Sequence, residues 1–242
     1  QQAISKYIPK LVVQLIESRQ NVSQLLDQVG LVDVIIPRGG EKLIEYVYKN
    51  SKIPVIAHFK GLCHIYIDAD ANLEHAINIV INAKTQRPGV CNAVETLLLH
   101  KDLPIEFVDQ LFNALIAKET ELRVCDNTNT SLKNLKSATE DDWETEYLDN
   151  ILSVKTISNL DEAIKHIQIF GSHHTEATIS NTKDHLEKFQ NQVDASSIML
   201  NASTRFNDGG EYNLGAELGI STTKLHAYGP MGAKEMTTER YV

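Results

Sequence analysis

Apolar positions along this chain follow two periods that take turns. Cys63-His64-Ile65-Tyr66-Ile67-Asp68 alternates as a strand; Leu73, Ala76, Ile77, Val80 and Ile81 then fall at i, i+3, i+4, i+7 and i+8, one face of a helix. The rhythm repeats. Thr96-Leu97-Leu98-Leu99-His100 reads as a short strand buried on both faces, and Ile105, Val108, Leu111, Phe112, Leu115 and Ile116 line a helix after Pro104. Further on, a strand over 152–157 is followed by a helix carrying Leu160, Ala163, Ile164 and Ile167, capped by Ser158 and ended by Gly171. A strand over 177–180, a helix with Leu186, Phe189 and Val193, and a strand over 197–201 complete the series.

The first sixty residues carry the same alternation more weakly. An apolar run at 12–16 and a polar helical stretch at 21–28 precede a strand at 32–36; Gly39-Gly40 opens a helix through Tyr48, and 54–58 is a second short strand. This reads as half of a parallel-sheet domain. Residues 125–145 are rich in Asn, Thr, Ser, Glu and Asp and predict an exposed loop; from Ala202 onward, six of the twelve glycines predict an irregular tail. No internal repeat or heptad run is present.

Composition narrows the classes. A length of 242 residues with 42% hydrophobic and 23% charged positions is ordinary for a globular protein, and no apolar run approaches the roughly 20 residues of a membrane helix. The net charge of -9 repels a polyphosphate backbone, which excludes nucleic acid as the expected partner. Cys63, Cys91 and Cys125 are odd in number and lack C-x-x-C spacing, so neither a disulfide framework nor a structural metal site is predicted, and a reducing, cytoplasmic setting fits. The chain opens on Gln1 in a helical-looking stretch, with neither an initiator methionine nor a charged-then-apolar leader, and reads as a piece of something longer.

Candidate chemistry centres on Thr85-Gln86-Arg87-Pro88-Gly89-Val90-Cys91-Asn92. A packing cysteine sits inside an apolar run; Cys91 sits in a polar turn between a helix and a strand, with Arg87 as a local cation able to favour the thiolate. Its residues alone leave two readings open, an inert loop thiol or a nucleophile. Packing is the better reading for Cys63 and Cys125. His173 and His174 are adjacent without a third spaced ligand, a poor metal site, so no metal is predicted. Pro37-Arg38-Gly39-Gly40 is a strand-to-helix turn able to face a phosphate, or a plain helix start. Arg205 suits a carboxylate bidentately, or a structural ion pair.

Several stretches, in order, resemble the gamma-glutamyl phosphate reductase family of the aldehyde dehydrogenase superfamily. They are Ile35-Ile36-Pro37-Arg38-Gly39-Gly40, Cys63-His64-Ile65-Tyr66, Asn82-Ala83-Lys84-Thr85-Gln86-Arg87-Pro88, Cys91-Asn92, Glu95-Thr96-Leu97, Gly171-Ser172-His173-His174-Thr175-Glu176, Asn201-Ala202-Ser203-Thr204-Arg205-Phe206 and Gly215-Ala216-Glu217. His226, Gly229, Pro230, Met231 and Gly232 complete the set, with Tyr228 standing where the family has arginine.

The resemblance implies an α/β, aldehyde-dehydrogenase-like fold. Residues 1–58 would be part of a Rossmann-like nucleotide-binding domain, 59–203 a parallel-sheet catalytic domain, and 204–242 a segment returning toward the nucleotide-binding and oligomerisation region. It implies NADPH-dependent reduction of L-glutamyl 5-phosphate to glutamate 5-semialdehyde in proline synthesis, through a Cys91 thioester with Asn92 beside it and the Cys91 N–H as one oxyanion donor. The second oxyanion donor would be a side-chain amide N-terminal to Gln1. Arg38, Gly39, Gly40 and Glu146 would contact NADPH or NADP, and Arg87 and Arg205 the substrate. Hydrolytic relatives carry a water-activating glutamate near the position of residues 56–60; no carboxylate stands there, which favours an acyl-phosphate reductase. Partnership with glutamate 5-kinase and homo-oligomerisation through a C-terminal strand are further implications. The competing readings are an aldehyde dehydrogenase of other substrate and a silent fragment serving binding or assembly.

Overall fold

The structure is a computed structural model that describes Lys6, Pro9, residues 12–16 and residues 18–242. The helical start expected at Gln1 lies outside the described residues. Two compact units are present, Gln1–Ala57 and His58–Val242.

The first unit holds helices α1 (Arg19–Leu25) and α2 (Glu41–Asn50). Ser18 caps α1 by accepting from the Gln20 N–H at 3.2 Å. Gly40 caps α2 through its backbone alone, and Ile44 and Val47 are the buried face of that helix. The strands expected at 32–36 and 54–58 reduce to one parallel bridge, Ile35 with Val55. Parallel ladders are stable when flanked on both sides, and no third strand joins this pair among the described residues.

The second unit is a seven-stranded sheet. Its strands are β1 (Cys63–Ile67), β2 (Val94–His100), β3 (Glu121–Val124), β4 (Lys136–Ser137), β5 (Ile151–Ile157), β6 (Thr175–Ile179) and β7 (Ser197–Leu200). The spatial order is β4-β3-β5-β2-β1-β6-β7, every pairing parallel. Helices α3 (Leu73–Thr85), α4 (Ile105–Ile116), α5 (Leu160–Phe170) and α6 (Lys183–Gln192) make the crossovers.

Side-chain alternation splits the core by face. Ile65, Ile67, Leu97 and Leu99 pack with Ala76 and Val80 of α3 and with Phe107, Leu111 and Phe112 of α4. Tyr66 and Leu98, one residue out of phase, pack with Ala163, Ile164 and Ile167 of α5 and with Phe189 of α6. Both faces are therefore dry, which is why Leu97-Leu98-Leu99 shows no polar alternation.

Three local readings need correction. Asn159, not Ser158, caps α5: its Oδ1 accepts from the Glu162 N–H at 3.0 Å, while the Ser158 N–H donates to the Glu162 carboxylate at 2.7 Å. Residues 125–145 are more than a loop, since they hold β4 and a short 3-10 helix, Glu140–Glu144, whose Asp142 and Trp143 are buried. Asp142 accepts from Arg123 at 2.6 Å, from Tyr147 at 2.6 Å and from the Thr139 N–H at 2.7 Å. Burial alone would raise its pKa, but these bonds hold the carboxyl down at about 2. The tail also carries an antiparallel pair, β8 (Gly219–Ser221) with β9 (Gly229–Met231).

Candidate active site

Cys91 lies in the turn between α3 and β2. Helix α3 stops at Thr85, Pro88 forbids its continuation, the Ala93 N–H closes on the Val90 carbonyl at 3.0 Å, and β2 begins at Val94. The turn leaves Cys91 half-buried and Asn92 buried. It is braced at its base, where Lys84 Nζ of α3 meets Glu95 Oε2 of β2 at 2.8 Å, both side chains wholly buried. Burial pushes the Glu95 carboxyl up to about 7 against the pull of Lys84.

A second loop, residues 58–62 leading into β1, is pressed onto the same turn. A Cβ built on Gly61 would stand 2.1 Å from the Cys91 carbonyl oxygen and 2.5 Å from its Cα. Only glycine allows that approach. The loop is held by the Gly61 N–H on Glu146 Oε1 at 2.8 Å and by the Leu62 N–H on Ser172 Oγ at 2.8 Å. Cys63 donates its thiol proton to the Cys91 carbonyl at 3.2 Å. Burial first, then the charge of Glu176, pushes that thiol well up, so Cys63 stays protonated.

Two imidazoles complete the site. One ligand nitrogen of His58, one of His174 and the Cys91 sulfur all lie within 4.8 Å of one another. The rings meet edge to face, centroids 5.1 Å apart. His174 is fully buried, and burial followed by the neighbouring His58 drives its pKa down to about 3, so it is neutral near pH 7. Its Nδ1 pairs with Thr175 Oγ1 at 2.7 Å, and Asn207 Nδ2 donates to the same hydroxyl at 2.7 Å.

Asn92 joins this network from the other side. Its Nδ2 donates to the Asn207 carbonyl at 2.9 Å, and its Oδ1 accepts from Arg205 Nη1. Arg205 Nε also donates to Gln86 Oε1 at 2.8 Å, so the guanidinium grips both shoulders of the Cys91 turn. Arg87 lies exposed in that turn. Glu146 is half-buried with one oxygen on the 58–62 loop. Arg38, Gly39 and Gly40 are exposed at the start of α2 in the first unit, Gly39 at φ +153°. Tyr228 donates to Asp194 at 3.2 Å; the cation on that carboxylate is Lys224, at 2.7 Å.

His58, Gly61 and the buried state of His174 are what sequence reasoning missed. Residues 56–60 hold no carboxylate, and the imidazole of His58 stands there instead. Among the described residues, His58, Cys91 and His174 are the one set of three or more such side chains close enough to share a metal ion.

The site sits on the amino-terminal rim of the sheet, just before β1, β2 and β6. Open α/β sheets more often bind ligands at the carboxyl ends of their strands. Here that opposite rim is closed by its own bonds: Asp68 accepts from Tyr66 and Ser180 at 2.9 Å and meets His185 at 2.5 Å.

The Aldehyde dehydrogenase family profile matches residues 2–147. The gamma-glutamyl phosphate reductase of Nautilia profundicola is 51% identical over 236 residues, 97% of this chain and 57% of that protein. That of Geotalea daltonii is 49% identical over 237 residues, again 97% and 57%. The chain thus spans little more than half the length of the curated relatives it matches. The crystal structure of gamma-glutamyl phosphate reductase from Thermotoga maritima covers 100% of this chain and 59% of its own, with 41% identity and a TM-score of 0.95. A glyceraldehyde-3-phosphate dehydrogenase from Bacillus halodurans, complexed with NADP, shares the fold at 17% identity and a TM-score of 0.65, over 84% of this chain and 51% of its own. With a profile match across more than half its length and a turn-borne cysteine on the rim of a parallel sheet, this chain belongs to the aldehyde dehydrogenase family.

Proposed function

We propose that the chain is the catalytic portion of an NADPH-dependent gamma-glutamyl phosphate reductase, forming glutamate 5-semialdehyde and phosphate from L-glutamyl 5-phosphate in proline synthesis. The observation that carries this is Cys91 within 4.8 Å of two imidazoles, in a chain 51% identical to a protein of that name. Cys91 sulfur attacks the acyl carbonyl, the bond to phosphate oxygen breaks, and a thioester remains. His58, half-exposed beside the sulfur, takes the thiol proton. NADPH, when bound, supplies the hydride that reduces this thioester. The resulting thiohemiacetal loses its carbon–sulfur bond, releasing aldehyde and returning Cys91 as thiolate.

The residues present suit the cofactor. Gly40 caps α2 with no side chain in the way, and Arg38 is exposed beside it, a cradle of the kind that takes a pyrophosphate. Glu146, which accepts from the Gly61 N–H through one carboxylate oxygen, can serve the ribose. Arg205 holds Asn92 and Gln86, so it acts on substrate through the turn it positions, while exposed Arg87 is the group left to meet a carboxylate or phosphate. A mixed anhydride hydrolyses in water, which favours direct transfer from a glutamate 5-kinase. No helix among the described residues is long and apolar enough to cross a membrane.

The test is the reverse reaction on the full-length protein. Glutamate semialdehyde should reduce NADP only with phosphate present, and Cys91→Ser should abolish it. Equal turnover without phosphate sinks the reductase assignment; normal turnover of the serine variant sinks the thioester.

A further inference from the structure

His58, Cys91 and His174 are far apart in sequence and reach the amino-terminal rim from three different loops, yet their donor atoms lie within 4.8 Å of one another. We propose that the trio is a reversible binding site for a soft divalent cation of the zinc type, held by the Cys91 thiolate and two imidazoles, with a fourth position open.

The donor set selects the ion. Two imidazoles and a thiolate match the three-ligand sites that zinc adopts when one position is left to water, whereas magnesium and calcium require oxygen donors. Bonds of about 2.0–2.3 Å in a tetrahedron place donors roughly 3.3–3.8 Å apart, so the trio has to close by at most about 1–1.5 Å on binding. His58 and Cys91 are half-buried and can make that movement, and they leave the ion a route in. His174 is wholly buried and fixed.

The outer shell is already built. A ligating histidine characteristically fixes its second ring nitrogen on a hydrogen-bond partner, and His174 Nδ1 is on Thr175 Oγ1 at 2.7 Å. The other nitrogen, Nε2, is buried with no hydrogen-bond partner among the described residues, a cost that a metal bond removes. Cys63 donates its thiol proton to the Cys91 carbonyl, and its sulfur lies 3.6 Å from His174 Nδ1, the nitrogen already held by Thr175. Binding replaces the thiol proton: Cys91–SH plus M²⁺ gives Cys91–S–M⁺ and a proton released to solvent. A sulfur so capped cannot attack an acyl carbonyl, so the ion switches off the reductase. That last consequence rests on the reading of Cys91 as nucleophile; the binding itself does not.

Cobalt(II) is the probe. The chain, reduced, stripped with chelator and desalted, should give a thiolate-to-cobalt charge-transfer band that saturates at one equivalent and disappears on adding Zn²⁺; Mg²⁺ should neither produce nor remove it. Cys91→Ser should abolish the band. His58→Ala should weaken Zn²⁺ binding by more than about tenfold, since even outer-shell partners of metal ligands are worth about 10–100-fold. His174→Ala should do the same, and the half-exposed His58 variant keeps the test decisive if the buried one fails to fold. No band in the parent chain, a band that survives Cys91→Ser, or unchanged affinity in His58→Ala overturns the site. In the full-length protein, Zn²⁺ should stop turnover and chelator should restore it. A band that Cys91→Ser abolishes, with turnover unaffected by Zn²⁺, supports the metal site and instead removes Cys91 from the reaction.

Discussion

Lys84 Nζ lies 2.8 Å from Glu95 Oε2, and this wholly buried pair spans the two ends of the turn that presents Cys91. Replacing one member leaves the other charge stranded in a dry site, which costs about 3–5 kcal/mol. Glu95→Gln and Lys84→Met are each expected to lower the unfolding free energy from urea denaturation by an amount of that order, and the double variant Lys84→Met with Glu95→Gln by clearly less than their sum. Additive losses in the denaturation curves would mean the two side chains act independently.

Gly61→Ala tests the contact between the 58–62 loop and the Cys91 turn. With the Cys91 Cα 2.5 Å from where the new Cβ must go, the backbone has to part. Overpacking of this kind costs about 1–3 kcal/mol or somewhat more. The expected result is a lower melting temperature together with slower alkylation of Cys91 or slower turnover of the full-length protein. A variant that melts and reacts like the parent would show the loop to be loosely placed.

His166 supplies the pH dependence. Burial, with His64 and Lys155 adding to it, pushes its imidazole from 6.5 down to about 2. The folded pKa is depressed, so the unfolded chain binds the extra proton between those values; the stability is present above about 6.5 and is lost as pH falls toward 2. His166→Phe keeps the ring packing with Phe170, centroids 4.6 Å apart, and removes the titration. Between pH 6 and 4 the slope of unfolding free energy against pH should fall by about 1.4 kcal/mol per pH unit. An unchanged slope would assign the acid sensitivity elsewhere.

Glu146 has two candidate duties, and hydrogen exchange separates them. Its carboxylate accepts from the Gly61 N–H at 2.8 Å, a bond to a charged group worth about 1.5–3 kcal/mol. Glu146→Ala should speed exchange at that amide by at least about tenfold without cofactor present, and Glu146→Gln should restore much of the protection. If the residue served only the cofactor ribose, exchange at Gly61 would not change.

Legibility followed periodicity. Strands β1, β2 and β5 and helices α3 and α4 stand out because burial on both faces of the sheet writes apolar clusters such as Leu97-Leu98-Leu99 and Ile65-Tyr66-Ile67, and the helices carry i, i+3, i+4 stripes. Strand β3 does not, since its four residues offer only two apolar positions, Leu122 and Val124, too short a run for alternation to register, while Glu121 and Arg123 bond to each other at 3.0 Å. The bridge between Ile35 and Val55 shows the reverse case, apolar runs that promise more ladder than they form.

At the site, Cys91 was visible because its neighbours are polar and turn-forming, a local property. His58 and His174 were not, because what makes them matter is distance, and no spacing rule joins loops brought together by a parallel sheet. Gly61 carried no signal either; a glycine needed for close approach looks like any other glycine until its neighbour is placed.

Because β1, β2 and β6 run in parallel, the loops that precede them all end on one rim and the loops that follow β1, β2 and β6 all end on the other. Lengthening any loop on the first rim moves one of His58, Cys91 or His174 against the other two. The connection at 101–104, on the second rim, touches none of them. The chain therefore has one margin where loop length is tightly specified, while on the other, where Asp68 and Ser180 tie the ends of β1 and β6 together, the 101–104 connection is where new surface features are most readily added.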